Sequence, residues 1–319
     1  MKIHAGWDEI VFLHGEQLPR GEEIAIALSV LRKPSIGGIE VGILYPPRKG
    51  GHIRVKMVDD TEKGYILMCG GLTQALAKAM VETPMGLHYG IVASEGSNTV
   101  ILETDAGLIQ IDMVVENHHV QRVITHMNAY VDTLYGIGVN KVTVAGIQCV
   151  NVGITESIRE YLVMDVDALS ESYPAVDFWQ RDTRCIEVLE GFYAAFFKQQ
   201  NFSDGVVHGV LYRMTTHGKE TSAQAVFRFY PWSDDKSDDP EFGCGTGSVA
   251  LGIALHALGR IQCNAGPVKL PIIVGGVHIP ENTRVKTELS LEGNPSRITS
   301  ASFSHDRIEL VASGTLYLP

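Results

Sequence analysis

The chain is expected to fold as a mixed α/β (α+β) protein of two pseudo-symmetric β-rich domains, each wrapped around one central helix. Three observations carry that expectation. Short β-rich segments dominate the 319 residues, a cysteine-led segment recurs once in each half, and small residues run down the helix that follows each copy.

In chain order, a helix is expected near 22–32, then strands at 39–45 and 52–57. The second strand alternates polar with apolar residues, the period of a half-buried strand. A helix opens at Cys69. Segments 99–104 and 108–114 flank Asp105-Ala106-Gly107 and read as a hairpin. Further strands are expected near 120–126, 141–154 and 159–166. A helix at 182–200 precedes strands at 206–215 and 223–230, an acidic turn-rich loop at 233–240, and a helix opening near Cys244. The remaining strands fall at 268–274, 284–292, 297–304 and 307–318. The domains are placed at 1–160, carrying Cys69, and 161–319, carrying Cys244, with the last strand free to cross back to the first domain.

Composition narrows the partners. Hydrophobic residues make up 45% and charged residues 20%, as in ordinary globular proteins. A formal net charge of −11 argues against nucleic acid or an anionic membrane as partner. No run approaches the length of a membrane span, and residues 1–9 lack the apolar core of a signal peptide. Five cysteines without tight spacing argue against a disulfide framework and point to a reducing cytoplasm.

The internal repeat is the most informative feature. Cys69-Gly70-Gly71-Leu72-Thr73-Gln74-Ala75-Leu76-Ala77-Lys78-Ala79 lies over Cys244-Gly245-Thr246-Gly247-Ser248-Val249-Ala250-Leu251-Gly252-Ile253-Ala254. Both copies end a β-rich stretch and begin a helix. The first turn of a helix has N–H groups without intrahelical partners and the positive end of the macrodipole. A thiol there has its thiolate stabilised, and the adjacent N–H groups form a carboxylate site that the glycines leave open to a ligand. Two such ends would hold a carboxylate and offer one sulfur to each face of the neighbouring carbon, one thiolate removing a proton and the other thiol returning one. A lone Cys-Gly before a helix is more often structural; two matched copies shift the balance to catalysis. Cys149, Cys185 and Cys263 lack this context and read as structural.

Other chemistries find no support. Gly243-Cys244-Gly245-Thr246-Gly247 lacks the third glycine of a dinucleotide fingerprint, because position 248 is Ser248. There is no phosphate loop, no Cys-x-x-Cys and no His pair at metal-ligand spacing. No metal and no cofactor are expected.

Around the two cysteines the sequence resembles the proline racemase family, within the wider diaminopimelate epimerase-like and phenazine-biosynthesis isomerase-like fold. Met68-Cys69-Gly70 is similar to that family's first cysteine motif and Cys244-Gly245-Thr246-Gly247 to its second. Gly15-Glu16, Leu44-Tyr45-Pro46-Pro47, Val81-Glu82-Thr83, Ala106-Gly107-Leu108 and His256-Ala257-Leu258-Gly259-Arg260 fall where the family has similar residues. Asp238-Asp239-Pro240 resembles a stretch of the phenazine-type isomerases. The resemblance implies two domains, each a curved sheet around a helix, with the site in the cleft between them. It implies a cofactor-independent racemase or epimerase with Cys69 and Cys244 as the catalytic thiols. Gly70, Gly71, Asp239, Gly245, Thr246 and Gly247 would contact a small carboxylated substrate, expected to be an amino acid, in an enzyme that can form a homodimer.

Three departures concern the substrate. Gly71 replaces the family's histidine, and Pro240 stands where an aspartate is usual, with Asp239 one residue further away. Gly153-Ile154-Thr155-Glu156-Ser157-Ile158-Arg159-Glu160 replaces its glycine–aromatic stretch. Read as a strand, that segment puts Glu156 and Glu160 on one face. Proline is therefore expected to be a poor substrate beside an amino acid with a longer polar side chain. The alternatives are an isomerase that shifts a double bond in an unsaturated acid and a non-catalytic small-acid-binding protein.

Overall fold

The computed structural model describes the whole chain except residues 1, 6–7, 61–63, 157, 180–182, 203–206, 218–219, 231–243, 264–265, 275–285, 306–307 and 313–319. In order, the elements begin β1 (Lys2–Ala5), β2 (Asp8–His14), α1 (Glu23–Leu31), β3 (Glu40–Tyr45), β4 (Ile53–Asp59), β5 (Gly64–Ile66), α2 (Gly70–Glu82) and α3 (Met85–His88). They continue β6 (Gly96–Thr104), β7 (Gly107–Glu116), β8 (His119–His126), α4 (Asn128–Ile137), β9 (Val139–Val144), β10 (Ile147–Ile154), β11 (Arg159–Asp165), α5 (Val166–Ser172) and α6 (Thr183–Gln200). The last are β12 (Val207–His217), β13 (Glu220–Tyr230), α7 (Gly245–Ala257), β14 (Val268–Val274), β15 (Lys286–Asn294), β16 (Arg297–His305) and β17 (Ile308–Ala312).

Two compact units result. Unit 1 comprises Met1–Tyr130 with Phe303–Pro319, and unit 2 comprises Val131–Ser302. The division falls earlier than 160/161 for a hydrogen-bonding reason. Strands β9, β10 and β11 form one antiparallel ladder, and β11 pairs in parallel with β12, so residues 139–165 are bonded into unit 2.

In unit 1, β1 pairs antiparallel with both β2 and β17, β2 runs parallel to β3, and β3, β4 and β5 continue antiparallel. Strand β6 joins β4 in parallel and leads into the β6–β7–β8 meander. This curved sheet holds α2, which packs against β1, β2, β7, β8 and β17. Residues 70–77 and Ala79 and Met80 are all buried, so α2 needs small and apolar residues on nearly every face. The other face of the sheet carries α1, whose Ala27, Val30 and Leu31 pack with Val41, Ile43 and Val58. The Gln74 carboxamide acts as a surrogate peptide group: Nε2 donates to the carbonyl of Phe303 at 3.1 Å, and Oε1 accepts from the N–H of His305 at 3.1 Å.

Unit 2 repeats the plan. Strands β12 and β13 are antiparallel, β14 joins β13 in parallel, and β15 pairs antiparallel with β14. Helix α7, buried from Gly245 to Leu255, packs against β10, β11, β12 and β15. The opposite sheet face carries α6, whose Cys185, Leu189, Phe192, Tyr193, Phe196 and Phe197 recur at helical spacing and meet Leu162, Met164, Leu211 and Val226.

Local expectations change at several points. Segment 141–154 is a hairpin rather than one strand, turned at Ala145 and Gly146, both with positive φ. Helix α4 was not expected, and neither was α5, seven residues in which only Val166 and Leu169 are buried. Helix α5 is too short for a clear 3.6-residue period.

Candidate functional site

Cys69 and Cys244 occupy the same position in their units. Each is the N-cap of a 13-residue helix with extended backbone, φ −127° and ψ 127° for Cys69, φ −78° and ψ 113° for Cys244. Each sulfur caps the N–H three residues on, as an N-cap side-chain oxygen ordinarily does: Leu72 N–H to Cys69 Sγ at 3.1 Å, and Gly247 N–H to Cys244 Sγ at 3.3 Å. All five cysteines are buried thiols.

The surroundings then diverge. The N–H of Cys69 donates to Met57 Sδ at 3.0 Å, fixing the approach to α2 from β4. One turn on, the Thr73 hydroxyl donates to the carbonyl of Gly70 at 2.7 Å and lies 3.0 Å from Thr125 Oγ1. Cys244 Sγ instead lies 3.2 Å from the hydroxyls of both Tyr161 and Thr246, which are 2.7 Å from one another. Tyr161 reaches it because β11 alternates: Leu162 and Met164 enter the core on the α6 face, so Tyr161 and Val163 face α7.

Gly70 and Gly71 lie in the first turn of α2, and Gly245, Thr246 and Gly247 in that of α7, all buried. By helix geometry, the N–H groups of Gly70, Gly71, Gly245 and Thr246 have no intrahelical acceptor, whereas those of Leu72 and Gly247 are taken by the sulfurs. Gly247 has a packing duty as well. A Cβ there would stand 2.5 Å from the Phe227 ring. Asp239 lies outside the described residues, as does the whole 238–240 loop.

The reading of Glu156 and Glu160 on one strand face is corrected. The N–H of Thr155 donates to the carbonyl of Ile158 at 2.8 Å, closing a turn between β10 and β11. Glu156 sits exposed on that turn, and Glu160 belongs to β11. The aromatic that meets Cys244, Tyr161, follows Glu160 directly and was not singled out in the sequence. The alternation of β11 sets it on the face opposite Leu162 and Met164, but no local pattern signals its contact with Cys244.

Cys149 is on β10, and burial pushes its thiol up to about 12. Cys185 is in the α6 core, and burial also raises Cys263. A cleft of about 740 Å³ in unit 1 is lined by residues including Glu16, Tyr45, Arg48, Arg54 and Tyr65. It is not the cysteine site. Arg54 and Lys56 alternate with Val55 and Met57 along β4, and Met57 is the residue that meets Cys69. Among the described residues, no group of three or more His, Cys, Asp or Glu could hold a metal ion, and no helix is long and apolar enough to cross a membrane.

No family model and no curated protein matches this chain. Solved structures do match its fold. A hydroxyproline epimerase from Agrobacterium vitis, with bound trans-4-hydroxy-L-proline, is 15% identical, with TM-score 0.66 over 98% of this chain and 90% of that one. A probable proline racemase from Agrobacterium radiobacter K84, with bound carbonate, is 13% identical, with TM-score 0.62 over 100% and 92%. A methylitaconate-delta-isomerase is 12% identical, with TM-score 0.55 over 99% and 97%. The chain therefore has the α+β fold shared by proline racemase-like and phenazine-biosynthesis-like proteins.

Proposed function

We propose that this protein is a cofactor-independent amino-acid racemase or epimerase in which Cys69 and Cys244 are the acid–base pair. The observation that supports this best is the duplicated thiol cap, a buried sulfur at the start of each unit's central helix, each accepting an N–H three residues on. A hydrogen bond to sulfur favours the thiolate over the thiol, and the helix dipole acts in the same direction. The N–H groups of Gly70, Gly71, Gly245 and Thr246 are the donors for the substrate carboxylate. One thiolate takes the α-proton and leaves a carbanion conjugated with that carboxylate. The other thiol then returns a proton to the opposite face. The pair ends with its protonation states exchanged, and no proton is gained or lost overall.

The test is a solvent-deuterium exchange screen over proline, the hydroxyprolines, acyclic polar amino acids and unsaturated dicarboxylic acids. Exchange at the α-carbon of an amino acid with loss of optical rotation is expected. Cys69→Ala and Cys244→Ala are each expected to lower that turnover at least about 10²–10⁴-fold, the ordinary contribution of a positioned acid or base, with Cys→Ser nearly as damaging. Full turnover in the double Ala variant would defeat the reading. Exchange only with unsaturated acids would instead identify a double-bond isomerase, the activity named for one structure of the same fold. Ligand binding without exchange would identify a binding protein.

A further inference from the structure

We infer that Tyr161 and Thr246 form a two-hydroxyl relay of positioning residues that hold the sulfur of Cys244 ready to lose its proton. The inference rests on Cys244 being one of the reacting thiols.

The three polar atoms close a triangle, with Tyr161 Oη to Thr246 Oγ1 at 2.7 Å and each oxygen 3.2 Å from Cys244 Sγ. All three residues are enclosed, at 3%, 4% and 5% exposure for Tyr161, Thr246 and Cys244. Proton counting then decides what the triangle does. With Cys244 as a thiol, three protons serve the three contacts in either sense around the triangle, since each pair can donate in either direction. With Cys244 as a thiolate, the sulfur only accepts, and the two hydroxyl protons remain to serve it. Both hydroxyls lie 3.2 Å from the sulfur that now carries the charge, beside the N–H of Gly247 at 3.3 Å. The donors a thiolate needs are already within reach of the atom where charge develops.

The scaffold keeps Tyr161 in place. It sits on β11 between β10 and β12, in register with His208, and its ring lies 5.3 Å from that imidazole. Thr246 has no freedom to wander, because it is in the first turn of the buried helix α7. Tyr161 and Thr246 are 85 residues apart, so the contact is a product of the fold rather than of local sequence.

The test is the titration of Cys244 itself, read as thiolate ultraviolet absorbance and isolated by subtracting the same titration in a Cys244→Ala background. Tyr161→Phe and Thr246→Val are each expected to raise the Cys244 midpoint by about one pH unit, the size of one hydrogen bond to a charged group. Thr246→Ser, which keeps a hydroxyl, is expected to leave it near the wild-type value. The acid limb of the turnover–pH profile should move with the midpoint. Coincident Cys244 titrations in wild type, Tyr161→Phe and Thr246→Val would overturn the inference. If Tyr161→Phe does not fold, the comparison of Thr246→Val with Thr246→Ser decides it. The titration needs no substrate, so a shifted midpoint in a protein that turns over nothing would defeat the proposed function and leave the relay standing. An unshifted midpoint in an active racemase would do the reverse.

Discussion

His305 shows how enclosure alone selects a charge state. Burial lowers its pKa from 6.5 to about 4, so the folded protein keeps the ring neutral where the unfolded chain protonates it. Between those two values the unfolded state binds more protons. The stabilisation is therefore fully present above pH 6.5 and is lost as pH falls toward 4. That gap corresponds to about 3 kcal/mol. His305→Gln is expected to flatten the stability–pH slope over that interval by about one proton, read from urea midpoints at a series of pH values; a slope identical to wild type would refute the assignment. Cys149 makes the complementary case. With its thiol pushed up to about 12 it stays protonated at neutral pH, so iodoacetamide should label its peptide only after unfolding. Rapid labelling of Cys149 in the folded protein would contradict this. Sequence context separated Cys69 and Cys244 from Cys149, Cys185 and Cys263, because matched helix starts leave a repeated string. It could not reveal Tyr161, whose hydroxyl meets residues more than eighty positions away.

The two central helices are where sequence and element agree best. Helices α2 and α7 begin at the cysteines, run 13 residues each and bury almost every position, which is why small residues recur along both. Helix α6 was legible for a different reason, a long apolar stripe at helical spacing. Helix α5 and the hairpin of β9 and β10 were not, because a short element and an Ala-Gly turn leave weak local signals. The approach of α7 to β13 gives an element-scale prediction. Gly247→Ala places a methyl group 2.5 Å from the Phe227 ring, in a helix whose first turn cannot tilt freely. It is expected to cost about 1–3 kcal/mol in urea unfolding, the range for overpacked cores. Phe227→Leu in the same background should recover part of the loss. A neutral Gly247→Ala would mean that the ring yields more easily than its packing implies.

At the scale of the molecule, the repeated cysteine string correctly signals a repeated plan of one buried helix per curved sheet, shared with the solved structures of this fold. The boundary between units was harder to read, because strand pairing and not composition assigns residues 139–165 to unit 2. The proposed chemistry uses only side chains and helix ends, so turnover is expected to survive prolonged dialysis against a chelator. Activity lost on dialysis and restored by a metal salt would refute the two-thiol reading. A last consequence concerns synthesis. The register pairs Lys2 with Ala312, and Gln74 on α2 clasps Phe303 and His305. Unit 2, by contrast, is one continuous stretch. A ribosome adding residues at about 5–20 per second reaches those late partners on the order of ten seconds or more after it has made α2. During that interval the nascent unit 1 lacks β16 and β17, the strands that hold Gln74 and pack against α2 in the finished protein, so α2 waits on the far end of the chain for part of its enclosure.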